Sequence, residues 1–254
     1  MNKISIVKND IIPFDSSNIK ICNNNISFLD SGNYILEYID CDDVNLNIHV
    51  DKSKCINLFE YSYDNDISIN NKYSIDNKAS LIINKFYCNK NSNEIIDINL
   101  NGEKASIKYN FSSISSGIDR YKINIYHNDK ETSSDIFNKT IAKENSCNYF
   151  DINSYVENGI LDTKLNQNTK IITLGESDNR INPNMYTYDN STTAVHSSVV
   201  GSVNENELFY LMSRGISYDD SINLIVKGNI LSNINIPDEY WQKINDIIDL
   251  IGGE

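Results

Sequence analysis

From Ile4 to about Val203 the chain is a succession of short segments in which apolar and polar residues alternate, and this limits the fold more than any other feature. YILEYI (Tyr34–Ile39), VNLNIHV (Val44–Val50), SLIINKFY (Ser80–Tyr87), IIDINL (Ile95–Leu100), ASIKYNF (Ala105–Phe111) and YKINIYH (Tyr121–His127) are examples. Period-2 alternation with β-branched and aromatic residues marks strands with one buried face, and the intervening Asn, Asp, Ser and Gly mark turns. In VNLNIHV, Val44, Leu46, Ile48 and Val50 share one face, and Asn45, Asn47 and His49 share the other. A weak helical pattern near Asp135–Lys143 is the exception. A dozen or more strands without helices leave a sandwich, a barrel or a β-helix, and the strands alone favour the first two. Asn is about as frequent as Ile. That suits the stacked turns of a β-helix, where Asn tolerates the left-handed conformation, and it suits AT-rich coding bias equally well. No strict repeat of about 20 to 25 residues stands out.

The pattern changes near Asn204. Asn204 followed by Glu207 has the form of a capping box, and the amphipathic ELFYLMSRG then runs to Gly215 as its C′ residue. Ser217 with Asp220 repeats the cap for a second helix, expected to close at Gly228, with Ile222, Ile225 and Val226 on one face. Pro237 opens a third, with Trp241, Ile244, Ile248 and Ile251 on one side and Gly252 as the stop. The chain thus divides into a β core, residues 1–203, and a helical unit, residues 204–254.

At 254 residues the chain can bury a sizeable core. A net charge of -13 argues against a nucleic-acid partner, because phosphate contacts need clustered cations. No apolar run is long enough for a membrane span, and the N-terminus lacks a signal-peptide pattern. Cys22, Cys41, Cys55, Cys88 and Cys147 form no CxxC, which reads as buried reduced thiols in a cytoplasmic protein.

Enzyme signatures are missing from the sequence. It contains no GxGxxG, GxxxxGK or GxSxG, and His49, His127 and His196 form no metal-spaced cluster. No acidic pair can be singled out as catalytic. Phe209 and Tyr210 read more readily as core than as interface. Arg214 suits a helix C-terminus, where it complements the dipole and can grip a carboxylate.

The run from Pro183 to Gly228 resembles the C-terminal signature of the SufB/SufD family of iron–sulphur cluster assembly proteins. The matching residues are Pro183, His196, Gly201, Glu205, Leu208, Phe209, Tyr210, Leu211, Arg214, Gly215, Ile216 and Asp220. LFYL, two residues and RGI, at that distance behind a strand histidine, is a specific combination. Upstream, His127, Ser134, Phe137 and Lys139-Thr140-Ile141 are similar to a second family pattern, with Asn138 where a glycine is usual.

The resemblance implies a right-handed parallel β-helix, of some eight coils, followed by a small C-terminal helical domain. It implies a non-catalytic scaffold that pairs with a SufB-like subunit, or with itself as a dimer, and docks a SufC-like ABC ATPase. No cofactor would be held stably by this chain alone; an iron–sulphur cluster would form transiently in the complex. The SufB type carries a glutamate directly after the family histidine and a cysteine some distance upstream. Here those places are Ser197 and the stretch Gln167–Thr169, so the chain looks SufD-like, in a short form without the family's N-terminal helical domain. The implied interface, metal or sulphur contact is His196. Leu208, Phe209, Tyr210, Leu211, Arg214 and Gly215 are the implied partner-binding residues. Two other readings stay open at this point: a stand-alone β-helix that binds or cleaves a glycan, and a degenerate regulatory paralogue.

Overall fold

The computed structural model describes residues 2–13, 18–188 and 190–251. The alternation read from the sequence becomes burial: in β6 (Asp43–Val50) Val44, Leu46, Ile48 and Val50 are buried while Asn45 and Asn47 face solvent. Each such strand has one face to hide, and here the chain hides it by coiling. One sheet carries β5 (Gly32–Ile39), β7 (Cys55–Tyr63), β9 (Ser80–Cys88), β11 (Ser106–Ser115), β13 (Ser133–Lys143), β15 (Lys164–Leu174) and β17 (Thr193–Ser202). The facing sheet carries β6, β8 (Asp66–Ile75), β10 (Asn91–Leu100), β12 (Ile118–His127), β14 (Cys147–Val156) and β16 (Asp178–Thr187). Odd and even strands alternate between the sheets and every pairing among them is parallel, so the molecule is a β-helix of about 6 turns rather than eight. The Asp135–Lys143 segment is strand, in β13. Its outward positions face the helical unit, so apolar residues on both faces had blurred its period.

The coil repeat exists but drifts. Tyr34 lies opposite Leu58, 24 residues on, whereas Ile136 lies opposite Gln167, 31 residues on. Corners are made by single residues in the left-handed region: Asp40, Asp64, Lys78, Lys104, Glu131 and Asn145 have φ of 51 to 62°. Corner amides of Ser53, Lys78, Lys104 and Glu131 donate to carbonyls of the following coil. Where the chain passes Gly117, a Cβ would sit 1.9 Å from the Lys90 carbonyl oxygen, so this corner needs glycine for close approach.

Asparagine ladders tie coil to coil. Asn57 donates to Asn33, Asn84 to Asn57 and Asn110 to Asn84, at 3.0 to 3.1 Å. On the facing sheet Asn124 donates to Asp97, Asn153 to Asn124 and Asn184 to Asn153. Beside that ladder Tyr126, Tyr155 and Tyr186 stack at 5.0 Å spacing. The proximal and middle interior is largely aliphatic and aromatic and holds a buried ionic cluster: Lys85 Nζ lies 3.1 Å from Glu60 and 2.7 Å from Glu94. Burial alone would lower the lysine pKa, but the two carboxylates outweigh it and hold it above the ordinary value.

The two ends of the coil differ. At the start, β1 (Asn2–Val7) folds back antiparallel on β2 (Asp10–Pro13), and β3 (Ile19–Cys22) pairs antiparallel with β4 (Asn25–Phe28). At the far end β16 and β17 are the last strands of their sheets. The chain then returns along the outer face of the β17 sheet as α1 (Glu205–Ser213), α2 (Tyr218–Leu231) and α3 (Asp238–Asp249). Asn204 and Ser217 cap the first two as expected, and Gly215, at φ 87°, ends α1. Helix α2 runs through Gly228 to Leu231, because a helical glycine that meets no neighbour is only a weak stop. Val226, Ile230, Ile244 and Ile248 are fully buried in a cluster with Ile35, Phe59, Phe86, Ile114 and Ile141 of the sheet. The aromatic anchor of α3 is Tyr240, packed on Phe59 and Tyr61, and Trp241 is 48% exposed, one position off the buried face. Gly252 lies outside the described residues. The connection after α2 is hydrogen-bonded to the sheet: Asn233 donates to the Phe111 and Phe137 carbonyls, and Asn84 accepts from the Asn235 amide.

Candidate functional site

The distal mouth of the coil gathers most of the residues that the sequence singled out. β17 reads TAVHSSVVGS and contains no Asp, Glu, Lys or Arg. Every residue in it is exposed, Val195, Val199 and Val200 by about half, and only one of its edges is paired. A ten-residue edge strand without charge is a template for a further strand.

His196 sits in this strand directly opposite Gln167. Gln167 is buried, and since register partners in a parallel ladder share a face, His196 belongs to the column that points into the coil. Behind it the interior turns polar. Gln167 donates to Ser154 Oγ at 2.9 Å and to the Asn184 carbonyl at 3.2 Å, and Asn138 donates to Thr169 Oγ1 at 3.0 Å. Gln167 Oε1, Asn138 Oδ1 and Asn148 Oδ1 are buried without a hydrogen-bond partner. Unpaired buried carbonyls are costly, and Gln167 Oε1, one rung behind the unpaired β17 edge, is the one directly behind His196. The chemistry on offer is an exposed imidazole at the rim with hydroxyls and amide oxygens inside.

His127 is a different kind of histidine. It is fully buried, with Nδ1 2.8 Å from Thr132 Oγ1 and Nε2 3.0 Å from Ser134 Oγ. Burial pushes its pKa down to about 4, so it is neutral and structural. The His127–Ser134 pair noted in the sequence is therefore a hydrogen bond within one coil.

Next to the mouth, α1 projects with no buried residue. Phe209 is 74% exposed and Tyr210 57%, so this pair is surface and not core. The short helix lies mainly on α2, and its Leu208 packs partly into the helix–sheet cluster. Arg214 forms its C-cap with the guanidinium over the Tyr210 ring at 5.2 Å. Asn206, Glu207, Tyr210, Leu211, Leu224 and Ile225 line a shallow, mainly apolar groove between the two helices.

One expectation shifts. Cys22 and Cys55 are exposed and Cys88 and Cys147 half-buried, leaving Cys41 as the buried thiol. His49, spaced far from the other histidines in sequence, is brought by the coiling to Asp51 and Asp76. Among the described residues no helix is long and apolar enough to cross a membrane.

Residues 54–229 match the profile described as SUF system FeS cluster assembly, SufBD core domain. An iron–sulfur cluster assembly SufBD family protein of Pyrococcus horikoshii is 45% identical over 56 residues, which is 22% of this chain and 13% of that protein. The iron–sulfur cluster assembly protein SufD of Bacillus subtilis is 25% identical over 118 residues, 46% of this chain and 27% of the relative. A SufBD family protein of Staphylococcus saprophyticus is 29% identical over 199 residues, 70% of this chain and 41% of the relative. The chain thus spans less than half the length of each of these relatives.

Proposed function

Because this chain belongs to the SufBD family, we propose that it serves iron–sulphur cluster assembly as a non-catalytic, SufD-like scaffold subunit. The observation that carries the reading is the uncharged, half-paired β17 edge with His196 at the mouth of a polar interior. Such an edge accepts a strand from a second family member, a SufB-like chain or another copy of this one. The hydroxyl, amide and imidazole groups then line the seam. Nascent cluster is the cargo of that seam, and His196 is the residue of this chain placed to bind or protonate sulphur there. The surface formed by α1 and α2 is the docking place for a SufC-like ATPase: Phe209 and Tyr210 are solvent-facing aromatics of the kind that anchor interfaces.

Co-expression with SufB-like and SufC-like chains tests this. A complex that co-purifies is expected, and its absence with either partner removes the corresponding assignment. Phe209→Ala should weaken ATPase binding by a kcal/mol or more while leaving the thermal melt of the isolated chain within a degree or two of wild type. A fall in melting temperature instead would make Phe209 structural. His196→Ala should permit pairing and lower the yield of reconstituted cluster; unchanged yield would favour a regulatory paralogue.

A further inference from the structure

The coiling creates a second constellation at the opposite end of the molecule, on the outer corner after β6 and β8. His49 is the penultimate residue of β6 and faces outward; Asp51 follows the strand, and Asp76 occupies the same corner position one coil later, where its amide donates to the Val50 carbonyl. His49 Nε2 lies 3.1 Å from Asp51 Oδ1 and 3.4 Å from Asp76 Oδ2. One ligand atom from each residue can be chosen so that all lie within 4.8 Å of one another, and all three side chains are half-buried. We propose that His49, Asp51 and Asp76 bind a divalent transition-metal ion.

The rest of the same corner column is built differently. One and two coils further on, the equivalent positions are Asn101 and Asn128. Those amides satisfy each other: Asn128 donates to Asn101 at 2.9 Å and Asn101 to Ser74 Oγ at 2.8 Å. Carboxylates cannot ladder in this way, because ionised Asp only accepts, and like charges stacked across adjacent strands repel. The nearby ammonium of Lys54 is directed to the carbonyls of Phe28 and Leu29 and lies 3.7 Å from Asp51 Oδ2. A neutral imidazole has one N–H to offer, so Nε2 can serve one carboxylate by donation or a cation by its lone pair. One imidazole and two carboxylates is a mixed N/O donor set suited to Zn²⁺, Fe²⁺ or Mn²⁺, with further positions open to water. His49 and Asp51 precede the residues matched by the family profile, so the site is inferred from this chain's own geometry.

The test is calorimetric titration of the full chain with Zn²⁺, paralleled by Co²⁺ absorption as a coordination signature. One equivalent per chain with micromolar affinity is expected, lost at least tenfold in His49→Ala and in Asp76→Asn. The second variant installs the residue that the next coil already carries, so it retains the fold. His196→Ala should leave the stoichiometry and affinity unchanged. Absence of saturable binding overturns the proposal, as does binding that survives both corner variants or vanishes with His196.

Discussion

The two ends of the β-helix solve the same problem in opposite ways. A stack of parallel strands has an unpaired edge at each end, and such edges invite further strands. At the start, each sheet finishes in an antiparallel hairpin whose outer strand, β2 or β3, has four residues, one ending in Pro13 and the other carrying Lys20. Short length, proline and lysine are all devices that discourage pairing. At the far end β16 and β17 are full-length, and β17 has none of these devices. Ile4 and Ile6 of β1 are buried, whereas the valines of β17 stand in solvent. The difference leaves the distal edge as the one at which, in the proposed function, a second chain pairs.

If the distal edge is the seam, a charge placed on it acts first on pairing. Val199→Lys should abolish association with a SufB-like partner, a loss of at least tenfold by light scattering or calorimetry, while leaving the melt of the isolated chain unchanged; retained pairing would show that the edge is not the seam. At the protected end, Ile6→Ala should cost about 2–5 kcal/mol in denaturant unfolding because a filled core site is emptied. Val199→Ala should stay within about 0.5 kcal/mol in the same assay. Gly117→Ala, midway along the coil, is expected to cost roughly 1–3 kcal/mol, since the backbone must shift away from Lys90.

A pH dependence follows from two buried titratable groups of β12. Burial holds the His127 pKa at about 4, below its unfolded value, so the unfolded chain takes up the proton first and stability falls as pH drops from about 6.5 to 4. Buried Asp119, raised to about 6 chiefly by desolvation, acts oppositely: its neutral form suits the fold, so it adds stability as pH falls from about 6 to 4. His127→Gln should therefore leave a stability that rises on mild acidification. A pH profile identical to wild type would show that His127 is not held neutral.

Much of this architecture was legible in the chain. Period 2 located the strands, and Asn204, Ser217 and Gly215 located helix ends, because those signals are local. The coil was not legible from strands alone: its repeat lengthens from 24 to 31 residues between successive rungs, which erases any fixed period. Asparagine content was ambiguous for the same reason, since only the register distinguishes a laddered Asn153 from an Asn that follows coding bias. Trp241 drew attention by size, yet Tyr240 takes the buried place because the phase of α3 is set by where it crosses Phe59 and Tyr61. His196 was singled out through a neighbouring motif, whereas the polar residues behind it were not, since Gln167 and Asn138 look like any other polar strand residues. The corner of His49 was hidden because its partners come from different coils.

The returning tail has a mechanical consequence. A stacked coil transmits load only from each rung to the next, and would fray from its unprotected end. Here the chain leaves the last rung at Ser202, and its third helix is pinned near the first rungs, with Tyr240 against Phe59 and Tyr61 and beneath the Lys3 ammonium. Distal and proximal rungs are thus joined by a strut as well as by the stack. A displacement at the distal end is thereby resisted by contacts on the first rungs as well as by the last rung itself.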